Sequence, residues 1–419
     1  MPTSPPRSVA VVGAGMVGLA TAWFLQEHGV HVTVLERDRV AAGASWGNSG
    51  WLSPALATPL PEPAVIRYGA RSALRPSSPV YVPARPDPKV LSFLAHFLMS
   101  STPSRWRAGM AAMVPLNAVA LDAFDALLAG GVAGTMTTPP AHLACFRSQA
   151  ERRGMARELD DIRACGQPID AALLDGDEAQ AMNPAISAEV TAALALKGQR
   201  FINPAAFVTS LSEAVLARGG SLETDCDVKA VREIHDRAEL AVLQDGLLTR
   251  RAFDAIVLAN GTWLGELTRR LGVRVPVQSG RGYSFTVPTS VDVRTPLYFP
   301  VQRVACTPVG DRVRIAGMME LRPAGAAIDP RRITAVAESV RPLLGGVDLD
   351  DRQDEWVGSR PFTSDGLPLV GPTRSGRIWV AGGHGMWGVT QGPATGRLVA
   401  GALATQDVPP ELRPFDPLR

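Results

Sequence analysis

The chain has 419 residues, which is more than one hydrophobic core ordinarily supports, so its length predicts two lobes. It is 46% hydrophobic and 20% charged, a composition typical of a soluble globular protein. The 42 basic and 40 acidic residues leave a net charge of +2, which gives no overall attraction for nucleic acid. Nucleic acid is therefore not an expected partner.

The cysteines and the apolar runs exclude several further classes of protein. Cys145, Cys165, Cys226 and Cys306 are far apart and form no CxxC pair, so neither a disulfide framework nor a metal site is predicted. The residues before Val9 are rich in proline and contain no apolar signal segment. No run approaches the length of a membrane span. The cytoplasm is the expected location.

The first 36 residues have the pattern of a dinucleotide-binding βαβ unit. A β-branched run, Val9 to Val12, leads into a glycine-rich turn, then a helix-periodic stretch and a second strand that ends at Glu36. Glu36 lies at the spacing expected for a carboxylate that accepts ribose hydroxyls. Helix N–H groups after the turn would face the pyrophosphate. The turn consists of Gly13, Ala14, Gly15, Met16, Val17 and Gly18.

This unit alone leaves the identity of the dinucleotide open. Glu36 followed by Arg37 fits the unphosphorylated adenosine ribose of NAD or FAD. An arginine at this position is equally compatible with a phosphate on the ribose. The choice depends on residues further along the chain.

The rest of the chain alternates between helical and strand patterns. Residues 53–110 are rich in Pro, Ser and Arg and are not typical of regular βαβ structure. Asn203 and Pro204 predict a helix start, and Gly219 ends that helix. The other predicted helices cover 112–129, 149–164, 331–341 and 388–404. The predicted strands cover 221–224, 227–232, 253–259, 283–287, 313–317 and 377–380.

Six separated segments resemble those of one enzyme family. They are residues 43–54, 227–229, 258–261, 281–284, 360–368 and 382–390. Through them the chain resembles the FAD-dependent amino-acid oxidoreductases of the D-amino-acid oxidase superfamily, and most of all the bacterial D-amino-acid dehydrogenases of the small-subunit type. The resemblance covers nearly the whole chain.

The resemblance implies a fold class and a domain organisation. It implies an α/β protein with a discontinuous, Rossmann-like FAD-binding domain formed by residues 1–60, 195–275 and 355–419. The substrate domain, residues 61–194 and 276–354, would contain a mostly antiparallel sheet with helices. FAD would be bound non-covalently, since Cys306 is interpreted as a strand residue and not as an attachment point.

The resemblance also implies which residues contact FAD. Besides the first turn, Glu36 and Arg37, these lie in the flavin-facing loop, in two middle segments and in the final glycine-rich turn. The free N–H groups of the last helix would stabilise negative charge on reduced flavin, which an NAD-dependent enzyme does not need. The implied contacts are Gly43, Ser45, Asn48, Ser49, Gly50, Trp51, Leu52, Val228, Ala259, Asn260, Gly261, Gly383, His384, Gly385, Met386, Trp387, Gly388 and Val389.

Five residues are candidates for the catalytic site. Arg360 matches the family arginine that binds an α-carboxylate, and a guanidinium does this with two hydrogen bonds. Tyr283 or Tyr298 would donate a further hydrogen bond to that carboxylate, or each is a core tyrosine whose hydroxyl bonds within the protein. His384, between glycines, is expected to shape the turn or contact the flavin instead of acting as a base. Trp387 would form a wall of the pocket.

The implied reaction is hydride transfer from the substrate Cα to flavin N5, which yields an imine and then a 2-oxo acid. No lysine matches the one that promotes oxygen reactivity in some related oxidases, so a quinone or another acceptor is mildly favoured over oxygen. Residues 61–110 carry seven basic and two acidic residues beside the apolar segment Val90 to Met99, which predicts either a membrane contact or an ordinary basic surface.

Several alternatives stay open on the sequence alone. Met386 and Trp387 depart from the pattern of the dehydrogenases, and no second arginine lies near Met386, so the substrate is either a D-amino acid or a secondary amine of the sarcosine, proline or hydroxyproline type. A flavin monooxygenase, an NAD-linked dehydrogenase and a catalytically silent flavoprotein subunit are the other classes considered. Substrate stereochemistry and oligomeric state are not specified by the sequence.

Overall fold

The structure, a computed structural model, describes residues 4–62, 78, 80–82 and 87–419. Strands from all parts of this range form four sheets. The strands are β1 (Ser8–Val12), β2 (His31–Leu35), β3 (Trp51–Leu52), β4 (Val80–Tyr81), β5 (Met136–Thr137), β6 (His142–Phe146), β7 (Ala171–Asp175), β8 (Ala192–Leu196), β9 (Arg200–Ile202), β10 (Ser221–Glu223), β11 (Asp227–Ile234), β12 (Arg237–Gln244), β13 (Leu247–Phe253), β14 (Ala255–Leu258), β15 (Val277–Pro288), β16 (Leu297–Phe299), β17 (Val304–Val309), β18 (Arg312–Leu321), β19 (Gln353–Thr363), β20 (Leu369–Pro372) and β21 (Ile378–Gly382).

Helices connect and cover these sheets. The α-helices of the described residues are α1 (Met16–Glu27), α2 (Pro88–Ser100), α3 (Pro103–Ala118), α4 (Ala120–Ala129), α5 (Gln149–Ala164), α6 (Gly176–Met182), α7 (Pro204–Ala217), α8 (Leu264–Thr268), α9 (Pro330–Val340) and α10 (Gly388–Thr405). Strands and helices together make an α/β protein, which confirms the predicted fold class.

A parallel sheet forms the first half of the molecule. Its strand order is β10-β2-β1-β14-β21-β20, and only β20 runs antiparallel to its neighbour. β1 lies at the centre and pairs with β2 and β14, so its apolar run is buried on both faces. β10, β14 and β21 come from distant parts of the sequence. The first segment, the middle segment and the C-terminal segment therefore meet in one sheet.

A larger sheet of nine strands forms the second half. Its order is β19-β15-β18-β17-β16-β6-β8-β7, with β4 added alongside β18. Most neighbours are antiparallel, and β16–β6 and β18–β4 are the parallel pairs. β15 lies between β19 and β18 and is buried along nearly its whole length. The two ranges assigned to a substrate domain both contribute to this sheet, while the exact domain boundaries stay a prediction.

Two helices that begin at prolines differ from the sequence prediction: α2 was not predicted, and α3 begins earlier than predicted. α2 begins at Pro88 and α3 at Pro103, where the predicted helix began at residue 112. Each proline occupies the first helical turn, where its missing N–H costs nothing. The Asp87 carboxylate accepts a hydrogen bond from the backbone N–H of Lys89, and Thr102 caps α3 in the same way. The proline-rich composition therefore concealed two helix starts.

The remaining predicted helices are confirmed. α5 covers residues 149–164 as predicted, and α7 begins at Pro204 with Asn203 as its cap. α9 and α10 lie within one or two residues of their predicted bounds.

Helices α3 and α4 correct the expectation that no segment reaches the length of a membrane span. Together they cover Pro103–Ala129, 27 residues that are long and apolar enough by composition to cross a membrane. Met113, Leu116, Phe124 and Leu127 are nevertheless fully buried in the main core, beside α1 and α10. One face of this helix pair therefore packs into the core.

Close contact between α1 and α10 positions both helices over the parallel sheet. A Cβ built on Gly396 of α10 would lie 2.6 Å from the backbone nitrogen of Thr21 and 2.8 Å from the carbonyl carbon of Ala20. Glycine is therefore required for the two backbones to approach. This contact aligns the N-termini of α1 and α10, which both open onto the same cleft.

We expect Gly396→Ala to lower the free energy of unfolding by about 1–3 kcal/mol, because the added methyl group overpacks the contact with α1. Denaturant unfolding measures the change. Gly401→Ala is the matched control, since it lies on the same helix and its Cβ meets nothing within 4 Å. An equal loss in both variants would contradict the packing argument.

Candidate active site

A cleft of about 190 Å³ opens at the carboxyl ends of the parallel strands. Ligands bind at this edge of α/β sheets because the helix N-termini and connecting loops converge there. The cleft brings together the first turn, the predicted flavin-facing loop, both middle segments and the final turn. Predicted residues that line it are Gly13, Gly15, Met16, Val17, Glu36, Arg37, Gly43, Ser45, Asn48, Val228, Ala259, Asn260, Gly261, Arg360, His384, Gly385, Met386, Gly388 and Val389.

The first turn has the geometry expected of a pyrophosphate cradle. Gly13 has φ +109°, and a Cβ on it would lie 2.6 Å from the carbonyl oxygen of Ala259. A Cβ on Gly18 would lie 1.9 Å from the carbonyl oxygen of Gly13. Gly15 precedes α1, whose N-terminus has no side-chain cap and no acidic residue in its first turn. The N–H groups of the first turn of α1 beyond Met16 can therefore bind an anion.

The carboxylate of Glu36 is fixed at the end of β2. Its Oε2 accepts a 2.7 Å hydrogen bond from the N–H of Ala14, and its Oε1 accepts one of 3.0 Å from the N–H of Asp38. The guanidinium of Arg37 lies 3.9 Å from the centroid of the Trp263 ring, in a cation–π contact. Four acidic residues line this end of the cleft: Glu36, Asp38, Asp227 and Glu266. Their charge disfavours a phosphate on the ribose.

The loop after residue 43 is tied to both halves of the molecule. Ser45 Oγ accepts a 3.1 Å hydrogen bond from the N–H of Met16, the first residue of α1. Ser284 of β15 donates a 2.7 Å hydrogen bond to the carbonyl of Gly47, and Arg314 of β18 donates one of 3.0 Å to the carbonyl of Trp46. The loop is therefore fixed between the cleft and the nine-stranded sheet.

The end of this loop is hydrogen-bonded to β17 and to α10. Gly50 has φ +79°, and a Cβ there would lie 2.1 Å from the carbonyl oxygen of Ile202. The Trp51 indole donates to Thr307 Oγ1, and the Trp51 carbonyl accepts a hydrogen bond from Thr390 of α10. Predicted cofactor contacts that do not line the cleft are Ala14, Gly18, Ser49, Gly50, Trp51, Leu52, Gly383 and Trp387.

The final turn leads into the N-terminus of α10. Gly383 and Gly385 have φ of +75° and +55°, and His384 lies between them. The His384 ring is buried and its Nε2 hydrogen-bonds with Thr395 Oγ1 at 2.9 Å, while burial lowers the pKa of the ring to about 4. His384 is therefore neutral near pH 7. A 3-10 turn, Gly385–Trp387, leads directly into α10, and neither has a side-chain cap.

Trp387 lies beside the main cleft. Its indole N–H donates a 2.8 Å hydrogen bond to the carbonyl of Thr58, and it lines a small adjoining pocket with Phe362 and Met386. The indole therefore joins the final turn to the segment after β3.

Arg360 projects from β19 toward the cleft. Its guanidinium donates one 3.1 Å hydrogen bond to the carbonyl of Met318 and makes no ion pair within the described residues. Burial lowers the pKa of Arg360 to about 10, so the group stays charged at neutral pH. The guanidinium lies over Gly282, where a Cβ would lie 2.1 Å from one of its nitrogens.

The two predicted tyrosines do not line the cleft, which corrects the expectation that they contact the substrate carboxylate. Tyr283 is buried on the opposite face of β15 and donates a 2.7 Å hydrogen bond to Glu320. Burial and this carboxylate raise the pKa of Tyr283 to about 12. The ring of Tyr298 lies edge-to-face with Trp51 at a centroid distance of 5.6 Å. Both tyrosines are part of the structure that supports the site.

Sequence reasoning missed Trp263 and Gly282. Trp263 follows the Asn260-Gly261 turn directly, and its contact with Arg37 could not be inferred from local pattern. Side chains along a strand point to its two faces in turn, so residues two apart share a face. Gly282 and Ser284 of β15 could therefore have been predicted to face the loop and the cleft together.

These residues fit FAD. The glycine cradle and the free N-terminus of α1 suit the pyrophosphate, and Glu36 suits the adenosine ribose. Asn260 Oδ1 is buried at the cleft without a hydrogen-bond partner, as expected of a group that a ligand satisfies. The open N-terminus of α10 suits a ring that becomes negatively charged on reduction. Bound FAD would supply the hydride acceptor.

Comparisons with known proteins agree with this geometry. The chain is 30% identical over 399 residues to a D-amino acid dehydrogenase of Cereibacter sphaeroides, covering 94% of this chain and 90% of that protein. It is 27% identical to the D-amino acid dehydrogenase of Azorhizobium caulinodans, covering 94% and 95% of the two chains.

Solved structures share the fold over the full chain. Glycine oxidase from Geobacillus kaustophilus superposes with a TM-score of 0.76 at 21% identity, covering 98% of both chains. L-amino acid deaminase from Proteus vulgaris gives 0.72 at 14% identity, covering 100% of this chain and 98% of the other. The DAO model, described as FAD dependent oxidoreductase, matches residues 8–402. The chain therefore belongs to the DAO family of FAD-dependent oxidoreductases.

Proposed function

We propose that this protein oxidises the Cα–N bond of a D-amino acid to an imine, which water hydrolyses to the 2-oxo acid. The observation that carries the proposal is the guanidinium of Arg360, which lines the cleft and makes no ion pair with any residue that the structure describes. Arg360 is half-buried, and even partial desolvation of a charge without a counter-ion is costly, so such a group indicates an anionic ligand. The α-carboxylate of an amino acid supplies that charge.

The surroundings of Arg360 orient the substrate. Its hydrogen bond to the Met318 carbonyl occupies one nitrogen and leaves other N–H donors for a carboxylate. Met318 has φ +63°, and the pairing of β15 with β18 shifts by one residue at this point. The bulge turns the Met318 carbonyl toward the guanidinium, as bulges often re-aim groups beside active sites. Arg360 is therefore held in place by the sheet.

The described residues around Arg360 offer little acid–base chemistry. Of the titratable side chains that line the cleft, Arg360 stays charged, and His384 is neutral and bonded to Thr395. The substrate amine accordingly loses its proton to water before oxidation. The protein contributes position, because the carboxylate on Arg360 sets where the Cα–H lies, and the N-terminus of α10 contributes favourable charge.

The D-amino acid preference rests on the relatives. Both curated relatives named above are D-amino acid dehydrogenases. The second candidate is a secondary-amine substrate, since L-proline dehydrogenase from P. horikoshii shares the fold with a TM-score of 0.70 at 16% identity. Met386, an uncharged residue lining the cleft, is compatible with either substrate.

The electron acceptor in this proposal is a quinone or a similar carrier in preference to oxygen. None of the three lysines, Lys89, Lys197 and Lys229, lines the cleft. α2 exposes Leu91, Leu98 and Met99, which supports a peripheral contact with the inner face of the cytoplasmic membrane.

We expect Arg360→Ala to retain the visible flavin band but to lose about 100-fold or more in the efficiency of flavin reduction. Truncating one partner of a buried, hydrogen-bonded charge pair costs about 2–5 kcal/mol. Anaerobic mixing with D- and L-amino acids, followed at the flavin band, measures this. The control is Arg294→Ala, an exposed arginine paired with Asp292. Wild-type reduction by the Arg360 variant would refute the assignment.

Gly282→Ala tests whether the Arg360 guanidinium must lie over Gly282. The new Cβ would lie 2.1 Å from an Arg360 nitrogen, so the side chain must move. We expect kcat/KM to fall about 10-fold or more with FAD content unchanged, because small displacements of a positioning group are costly. Gly154→Ala, whose Cβ meets nothing within 4 Å, provides the comparison. Equal activity in the two variants would show that the position of Arg360 does not depend on Gly282.

A further inference from the structure

A buried ion pair lies on the face of the nine-stranded sheet that is opposite to the cleft. The guanidinium of Arg281, on β15, lies 3.4 Å from a carboxylate oxygen of Glu320, on β18, and neither side chain has any exposed surface. The Tyr283 hydroxyl donates a 2.7 Å hydrogen bond to the same oxygen. Among the Asp and Glu side chains of the described residues, only that of Glu320 is fully buried.

Three arginines surround this carboxylate. Besides Arg281, the Nε of Arg322 lies 3.2 Å from the second carboxylate oxygen, and the buried Arg332 lies beside the Tyr283 ring. Arg281 also donates hydrogen bonds of 2.8 and 3.0 Å to two backbone carbonyls of the segment that follows β18. A buried charge is tolerated only with such partners, so the cluster holds Glu320 in one position.

The cluster straddles the bulge between β15 and β18. The register of the two strands shifts between Arg281 and Tyr283, and both of these residues bond to Glu320. One carboxylate therefore joins the two sides of the bulge. Within the bulge Met318 has φ +63°, a conformation that is unfavourable for a residue with a Cβ and persists only where surrounding contacts enforce it. The bonds to Glu320 are contacts of that kind.

The Met318 carbonyl links this cluster to the cleft. It accepts the 3.1 Å hydrogen bond from the Arg360 guanidinium. Gly282, which lies between Arg281 and Tyr283 in β15, leaves the space that the same guanidinium occupies. A shift of the bulge would therefore displace both the carbonyl and the space on which the position of Arg360 depends.

We propose that Glu320 is a positioning residue for Arg360: its bonds to Arg281 and Tyr283 fix the bulge, and the bulge fixes the guanidinium that binds the substrate carboxylate. Glu320 does not line the cleft, so it acts through the backbone of β15 and β18 and not by contact with a ligand. This inference rests on the proposed function, because it takes Arg360 as the group that binds the carboxylate. It makes carboxylate affinity depend on a charge buried on the other face of the sheet.

The first test is titration of benzoate, a carboxylate that cannot be oxidised, into FAD-loaded protein while the flavin absorption band is followed. We expect Glu320→Gln to raise the Kd about 10-fold with FAD content unchanged, because the neutral amide no longer pairs with Arg281 and the guanidinium must be ordered on binding. Glu239→Gln is the matched control, since Glu239 is a strand carboxylate that is also paired with two arginines and does not line the cleft. Equal Kd values in these two variants would overturn the inference.

A double-mutant cycle separates positioning from a general loss of structure. Tyr283→Phe removes one bond to Glu320 and keeps its charge pairs, so it decides the question if Glu320→Gln does not fold. We expect Tyr283→Phe to raise the benzoate Kd about 3-fold or more in the wild type, and to leave it unchanged in Arg360→Lys, where no guanidinium remains to be positioned.

The outcomes of the cycle distinguish this inference from the function on which it rests. An unchanged Kd in Tyr283→Phe, or the same rise in both backgrounds, would overturn the role of Glu320 while the proposed function stands. A wild-type enzyme that binds no benzoate would instead refute the carboxylate site on which the proposed function depends, and this inference with it.

Discussion

The site depends on one charged group, the guanidinium of Arg360, which has no carboxylate partner among the residues that the structure describes. Partly burying that charge opposes folding, and the chain offsets this with the Met318 carbonyl and the space over Gly282. The bulge in β18 supplies the carbonyl that the guanidinium contacts, and Gly282 of β15 leaves the space that it occupies. The nine-stranded sheet therefore holds one charged group in place, and the residues at the carboxyl ends of the parallel strands would hold FAD.

The two halves of the molecule are joined by hydrogen bonds between side chains and backbone groups. Ser45 joins the flavin-facing loop to the start of α1, and Ser284 and Arg314 join the same loop to the nine-stranded sheet. Gly396 permits the close contact that aligns α1 with α10. Two uncapped helix N-termini consequently open onto one cleft, where one suits a pyrophosphate and the other a ring that gains negative charge.

Local motifs were predictable because their chemistry lies within a few residues. The turn from Gly13 to Gly18, the cap at Asn203 and the end of β2 at Glu36 all follow from nearby sequence. Tyr283 was misplaced because the alternation along β15 was not applied: Gly282 faces Arg360, so Tyr283 must face the other way. The contact of Phe93 and Phe97 with Phe362 could not be predicted, since α2 meets β19 only through tertiary packing.

The most direct test of the central claim uses a carboxylate that cannot be oxidised. Benzoate is titrated into the FAD-loaded wild-type enzyme and into Arg360→Lys, and the shift of the flavin absorption band is followed. A point charge replaces the planar fork in that variant, so the account predicts saturable binding to the wild type and a Kd at least about 10-fold weaker in the variant. The same Kd in both proteins would show that Arg360 is not the carboxylate-binding group.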